Sequence, residues 1–340
     1  MVFLLMARSI GFTRRGSSLS KLEAVISGIY STNLAVKPTD KVLIVVDKRK
    51  ERLGKLFFSV GRKFTSKIEL VCIPVGKVNG QEPPLEIAKK MIGFDAQFLI
   101  TTKSLTHTKA RKNACLHGAR IATLPDVTEA MLKRAIDIDY GEMLRRIDAI
   151  CDVLDKGREV RIKSFEGTDM TFSVAGRKAH GRSSGIFTKK GQYGNLPDGE
   201  SFIAPVEGSA NGVFVVDGSI GGTGKVDRKV KVFVKKGYAE EISGGKASFA
   251  LQKILDSAGK NARNVAEFGI GQNKKAIITG NMLEDEKVIG TCHIALGNNS
   301  GFGGKISVPL HIDCLIRKPT IYVDGKAIME RGRFKPKVFI

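Results

Sequence analysis

The chain has 340 residues, enough for two hydrophobic cores, because single cores rarely grow past about 250–300 residues. An apolar fraction of 42% excludes global disorder, and five cysteines, odd in number and without C-x-x-C spacing, argue against a disulfide scaffold or zinc ribbon. The formal net charge of +22 reads most simply as a solvated basic surface, with nucleic acid as the sharper candidate partner. Two stretches without an acid, 96–125 and 170–197, could face a phosphate backbone. No RNP, KH or zinc-finger pattern supports that second reading. The opening Met1–Met6 is too short for a signal peptide and no run is long enough to span a bilayer, so a soluble, cytoplasmic protein is expected.

In chain order, Ser20–Tyr30 has helical spacing at Leu22, Val25, Ile26 and Ile29. Lys41–Asp47 is a continuous apolar run, the form of a buried parallel strand. A helix is expected over about 49–64, then a strand at 69–74, a helix from Pro83-Pro84, a strand at 97–100, a helix near 107–117 and a strand at 120–123. Asp126 is the expected cap of a helix running to about 135. This alternation predicts an N-terminal, doubly wound parallel α/β domain over residues 1–138. No G-x-G-x-x-G follows its first strand, so the half reads as scaffold. Residues 139–157 form an amphipathic linking helix. From Glu159 strands predominate, at 159–163, 170–174, 201–204, 212–216 and 229–234, punctuated by glycines and interrupted by one helix at about 246–258. Residues 158–340 are therefore expected to form a mainly antiparallel β domain with few helices.

The chemistry-bearing residues concentrate in that second half. His311-Ile312-Asp313 lies in an alternating stretch, and side chains at i and i+2 of a strand leave the same face. Glu267 stands among Val265, Ala266, Phe268 and Ile270, where an unpaired acid costs several kcal/mol. Glu200 follows Asn195-Leu-Pro-Asp-Gly199, and Glu284-Asp-Glu286 precedes His293. Taken singly, these acids also suit a solvated strand face or a helix start; together they suggest a metal centre.

Asn195–Pro205, the Asp285-Glu286…Cys292–Gly297 segment and Leu310–Asp313 resemble the aminopeptidase T (thermophilic metalloprotease) family, as does Gly167–Arg177. The resemblance implies a homodimeric metallo-aminopeptidase that hydrolyses peptide substrates with two divalent ions, zinc, cobalt or manganese. Its implied ligands are Glu200, Glu267, Glu286, His293, His311 and Asp313, with Glu200 or Glu267 as candidate proton shuttle. Two such ions would need bridging carboxylates to offset their repulsion. Two departures stand out. Ser300 occupies the place of an expected catalytic tyrosine, and Glu286 is seven residues before His293 rather than five, which makes Glu284 its rival.

Gly303-Gly-Lys305, His311-Ile-Asp313 and Ile321–Gly325 are also similar to the dihydroxypyridine ring-cleaving dioxygenases, which share the fold and bind one iron. That resemblance implies a ligand set of His293, His311 and one carboxylate, an approximate two-His-one-carboxylate arrangement. It places a histidine near the position of Glu267. A metal-binding protein without peptidase activity is the remaining alternative.

Overall fold

The structure is a computed structural model that describes residues 20–336. The apolar opening, Met1–Met6, lies outside the described residues. Helix α1 (Lys21–Gly28) starts from a reciprocal cap between Ser20 and Glu23. There follow β1 (Val42–Asp47), α2 (Glu51–Gly61), β2 (Ile68–Ile73), α3 (Leu85–Met91), β3 (Ala96–Ile100), α4 (Lys109–Leu116) and β4 (Arg120–Thr123). The strands pair in parallel in the order β2-β1-β3-β4. Every residue of β1 is buried: Val42, Ile44 and Val46 enter one apolar cluster, Leu43 and Val45 another. A parallel strand covered on both faces produces that continuous apolar run.

One expected feature differs. Asp126 does not cap the next helix, α5 (Glu129–Met131); Thr128 does, accepting from the Met131 amide at 3.2 Å. Asp126 instead takes a left-handed φ of 49° and its carboxylate meets Lys50 Nζ at 2.8 Å. The helix starts three residues after Asp126, so Thr128 rather than Asp126 holds the capping position.

Helix α6 (Tyr140–Lys156), capped by Asp139, buries Met143, Ile147, Ile150, Cys151 and Leu154 against the second core. Beyond it lie β5 (Glu159–Lys163), β6 (Asp169–Ser173) and β7 (Tyr193–Asn195), the last returning to lie parallel beside β4 in the first sheet. The remaining elements are β8 (Glu200–Ile203), β9 (Asn211–Val216), β10 (Ser219–Ile220), β11 (Gly224–Lys225), β12 (Val230–Lys235), β13 (Tyr238–Ser243), α7 (Lys246–Ser257), β14 (Val265–Gly271), α8 (Met282–Asp285), β15 (Thr291–Gly297), β16 (His311–Arg317), β17 (Thr320–Val323), β18 (Lys326–Glu330) and β19 (Arg333–Phe334). They form two antiparallel sheets, β11-β10-β16-β15-β14-β8 and β13-β12-β9-β6-β5-β17-β18-β19. One apolar core joins the two, with Phe172 of β6 and Phe268 of β14 5.3 Å apart between ring centroids. The fold is thus a parallel α/β layer followed by large antiparallel sheets with few helices. Among the described residues, no helix is long and apolar enough to cross a membrane.

Phe98 is fully buried on β3, its ring 4.6 Å from Tyr30 and 5.5 Å from Phe57. Phe98→Ala should therefore cost about 3–5 kcal/mol through lost burial and a residual cavity. Chemical denaturation checks this: a loss under about 1 kcal/mol would show that the N-terminal core is not close-packed there.

Candidate metal centre

Four neighbouring strands place the donor side chains on one face of the six-stranded sheet. Glu200 opens β8 opposite Gly271, and Glu267 of β14 lies opposite Ala295 of β15, itself opposite Asp313 of β16. His293 and His311 stand two residues before Ala295 and Asp313, so strand periodicity carries them to the same face. Space for the His293 ring comes from Gly269, directly opposite it: a Cβ at Gly269 would lie 2.1 Å from His293 Nε2. The small side chains between the donors keep the site open.

Glu267 is the shared member. Its Oε1 lies 3.3 Å from His293 Nε2 and its Oε2 lies 3.3 Å from His311 Nε2. Two groups of potential ligand atoms result, Glu267 with His311 and Asp313, and Glu200 with Glu267 and His293, each gathered within 4.8 Å. In the first, His311 Nε2 is 3.4 Å from Asp313 Oδ1; in the second, His293 Nε2 is 3.5 Å from Glu200 Oε2. The two histidines do not fall in one group with a single carboxylate, as the two-His-one-carboxylate expectation required. Each group offers one imidazole and two carboxylates.

The groups differ in how their imidazoles are supported. His311 Nδ1 sits 2.8 Å from the Asn298 carbonyl, so Nδ1–H donates and Nε2 is the atom left for a metal. His293 Nδ1 is buried with no hydrogen-bond partner among the described residues. A nitrogen-and-oxygen set with a hydrogen-bonded second ring atom suits a divalent transition ion such as iron(II), and the Glu267, His311 and Asp313 group meets that description.

Glu286 does not join either group. Its Oε1 is 2.5 Å from Lys287 Nζ, and the same ammonium is 2.5 Å from Glu200 Oε1. Lys287 is 1% exposed. Its rival Glu284 is buried elsewhere, held by Arg134 through two 2.8 Å contacts. Ser300 is exposed on the glycine-rich loop at 298–304 that follows β15, its hydroxyl donating to Asn298 Oδ1 at 2.9 Å. That loop is fixed by Glu207, which accepts from the Asn299 side chain at 3.0 Å and the Lys305 amide at 2.7 Å. The loop carries Phe302, whose ring stands edge-on to His311 at 5.8 Å and to Phe202 at 5.6 Å. His180 stacks on Phe202 at 5.2 Å. Phe302, Phe202 and His180 therefore form an aromatic cluster beside His311.

Sequence reasoning missed Lys287 and His107. Lys287 follows three acids and looks like one more surface charge; only the buried turn after α8 makes it a core ammonium. His107 precedes α4, far from the other donors in sequence. It is surface-exposed, and desolvation together with the charge of His311 shifts its pKa downward.

The acids respond differently to one another. Burial alone would raise Glu267, but hydrogen bonds from His293 and His311 outweigh it and bring its pKa down to about 2. Asp313 is likewise held below the usual carboxylate range, burial being overcome by His311. Glu200 and Glu286 are pushed up, chiefly by burial, against the pull of Lys287. Burial opposes a charged His293, yet the hydrogen bond to Glu267 and the field of Glu200 raise it to about 9. A group raised in the fold contributes stability that is complete below its unfolded value, near 6.5, and lost as pH climbs through about 9. The metal-free protein should therefore melt several degrees lower at pH 9.5 than at pH 6.5, with the difference reduced in His293→Gln. Equal shifts in both proteins would remove His293 as the cause.

The model of the family described as "NicX: 2,5-dihydroxypyridine 5,6-dioxygenase" matches residues 35–336. A Pseudomonas putida 2,5-dihydroxypyridine 5,6-dioxygenase is 25% identical over 250 residues, covering 70% of each chain. Two solved structures share the fold. The 2,5-dihydroxypyridine dioxygenase of Pseudomonas putida superposes with a TM-score of 0.82 at 19% identity, over 95% of this chain and 100% of that one. Wild-type AmpT from Thermus thermophilus gives 0.71 at 17% identity, over 92% and 98%. The family match overturns the metallo-aminopeptidase expectation: the terms hydrolase, exopeptidase and protease do not apply, and the two-ion zinc, cobalt or manganese cofactor falls with them. The likeness to aminopeptidase T is one of fold, which explains why similar segments occur in the same order without the same activity. With most of its length matched, the chain belongs to the NicX, 2,5-dihydroxypyridine 5,6-dioxygenase, family.

Proposed function

We propose that the protein is a dioxygenase that opens the ring of a dihydroxypyridine, using one iron held by Glu267, His311 and Asp313. The observation that carries this reading is the second-atom support of His311 by the Asn298 carbonyl, within a group of three donors bordered by Phe302. Iron(II) bound there would supply the redox chemistry that lets dioxygen react with an electron-rich ring.

The chain's own residues account for the remaining requirements. Phe302 and Phe202, with His180 stacked behind, present flat apolar surfaces that can pack a planar heteroaromatic substrate and exclude water. Glu207 holds the glycine loop so that Phe302 keeps its angle to His311. Ring opening by a dioxygenase adds both atoms of one dioxygen and needs no external reductant. Substrate loss and oxygen uptake should therefore be one to one.

The iron-reconstituted protein should bleach the ring absorbance of 2,5-dihydroxypyridine only in the presence of oxygen, with equal consumption of the two measured by electrode. Asp313→Ala should lose at least 100-fold in turnover together with iron content. Reconstituted protein that consumes no oxygen with this compound would end the reading.

A further inference from the structure

We infer that Lys287 is a built-in cation that limits the site to a single metal ion by occupying the carboxylates a second ion would need. This rests on the one-iron reading above, and it concerns a residue outside the three proposed iron ligands.

Two donor groups share Glu267, so the face has the layout of a two-ion centre, with Glu200, Glu267 and His293 forming the second pocket. That pocket is already served by a positive charge. Lys287 Nζ lies 2.5 Å from Glu200 Oε1 and 2.5 Å from Glu286 Oε1, and the other Glu200 oxygen faces His293 at 3.5 Å. Two carboxylates that could neutralise a second ion are thus each engaged by the ammonium. A divalent ion on Glu200 Oε2 would share one carboxylate with it, in a buried setting where like charges repel strongly.

The turn that carries the lysine is fixed. Its amide donates to the Glu284 carbonyl at 3.0 Å, and its own carbonyl accepts from the Asn273 amide at 2.7 Å. Strand β14 closes on the same turn: a Cβ at Gly271 would lie 2.2 Å from the Val288 carbonyl oxygen and 2.8 Å from the Lys287 carbonyl carbon. A separate observation agrees. His293 Nδ1 is buried and unpartnered, whereas His311 Nδ1 is hydrogen-bonded to a carbonyl, the arrangement that steadies a metal-bound imidazole. Of the two pockets, only the one remote from the lysine has that support.

Manganese(II) reports the outcome without any turnover. Protein stripped of metal is dialysed against excess manganese(II), bound ion is counted by mass spectrometry, and electron paramagnetic resonance distinguishes an isolated ion from a spin-coupled pair. Wild type and Lys287→Arg should each hold one isolated ion. Lys287→Met should hold two, with the coupled spectrum. If the unpaired acids prevent Lys287→Met from folding, the Glu286→Gln/Lys287→Met double variant removes the opposite charge as well and should also hold two. A folded Lys287→Met, or that double variant, with one ion overturns the inference and leaves the one-metal reading standing. Wild type with two ions overturns the inference directly. Wild type with none overturns the one-metal reading, and the inference with it.

Discussion

The Glu267 carboxylate is the constraint on which the site depends. It is 6% exposed, in the middle of a strand whose other residues are apolar or glycine, and its two oxygens each meet a histidine at 3.3 Å. A buried carboxylate without such partners would be protonated or would destabilise the strand by several kcal/mol. Here the cost is met by rings from the two following strands, so the acid orders β14, β15 and β16 in one register. The paired positions that are not donors, Gly269 and Ala295, are small for the same reason. Larger side chains there would fill the space between the donors.

Around that centre, charge is arranged by burial more than by proximity in sequence. Lys287 draws Glu200 and Glu286 to one side, while His311 and Asp313 face the glycine loop and its aromatic wall. The asymmetry makes one half of the face a buried ion pair, while the other half, with His311 and Asp313, is partly exposed. The parallel layer contributes through the loop before α4, which brings His107 under the influence of His311. A dioxygenase and an aminopeptidase can share this frame because the frame supplies one face of strands and little else. Their chemistry depends on which atoms stand on it and what already neutralises them.

Much of this was legible from periodicity. Lys41–Asp47 announced a strand covered on both faces because its five central residues, Val42 to Val46, are all apolar, and the change to glycine-punctuated strands after Glu159 marked the antiparallel sheets. His311 and Asp313 were readable as neighbours because i and i+2 share a face in any strand. Glu286 was misplaced for an equally physical reason. A local pattern that returns an acid to one face of a helix says nothing about the lysine beside it, and Lys287 ties that acid into an ion pair shared with Glu200. Asp126 is not the cap because the helix begins at Glu129, where Thr128 stands in the capping position; Asp126 pairs instead with Lys50, 76 residues earlier. The aminopeptidase resemblance rested on segments that shape the shared fold, which is why the fold expectation survived and the activity did not.

By itself the sequence determined the kinds of element, their order and the face on which His311 and Asp313 lie, since these follow from local sterics and the spacing of apolar residues. Tertiary structure alone decided that Glu267 joins two histidines, that Glu286 is tied to an ammonium, and that Phe302 stands edge-on beside His311. Those pairings bring together residues from separate strands and loops, and only the registers of β8, β14, β15 and β16, with the burial of the turn at Lys287, set the distances between them.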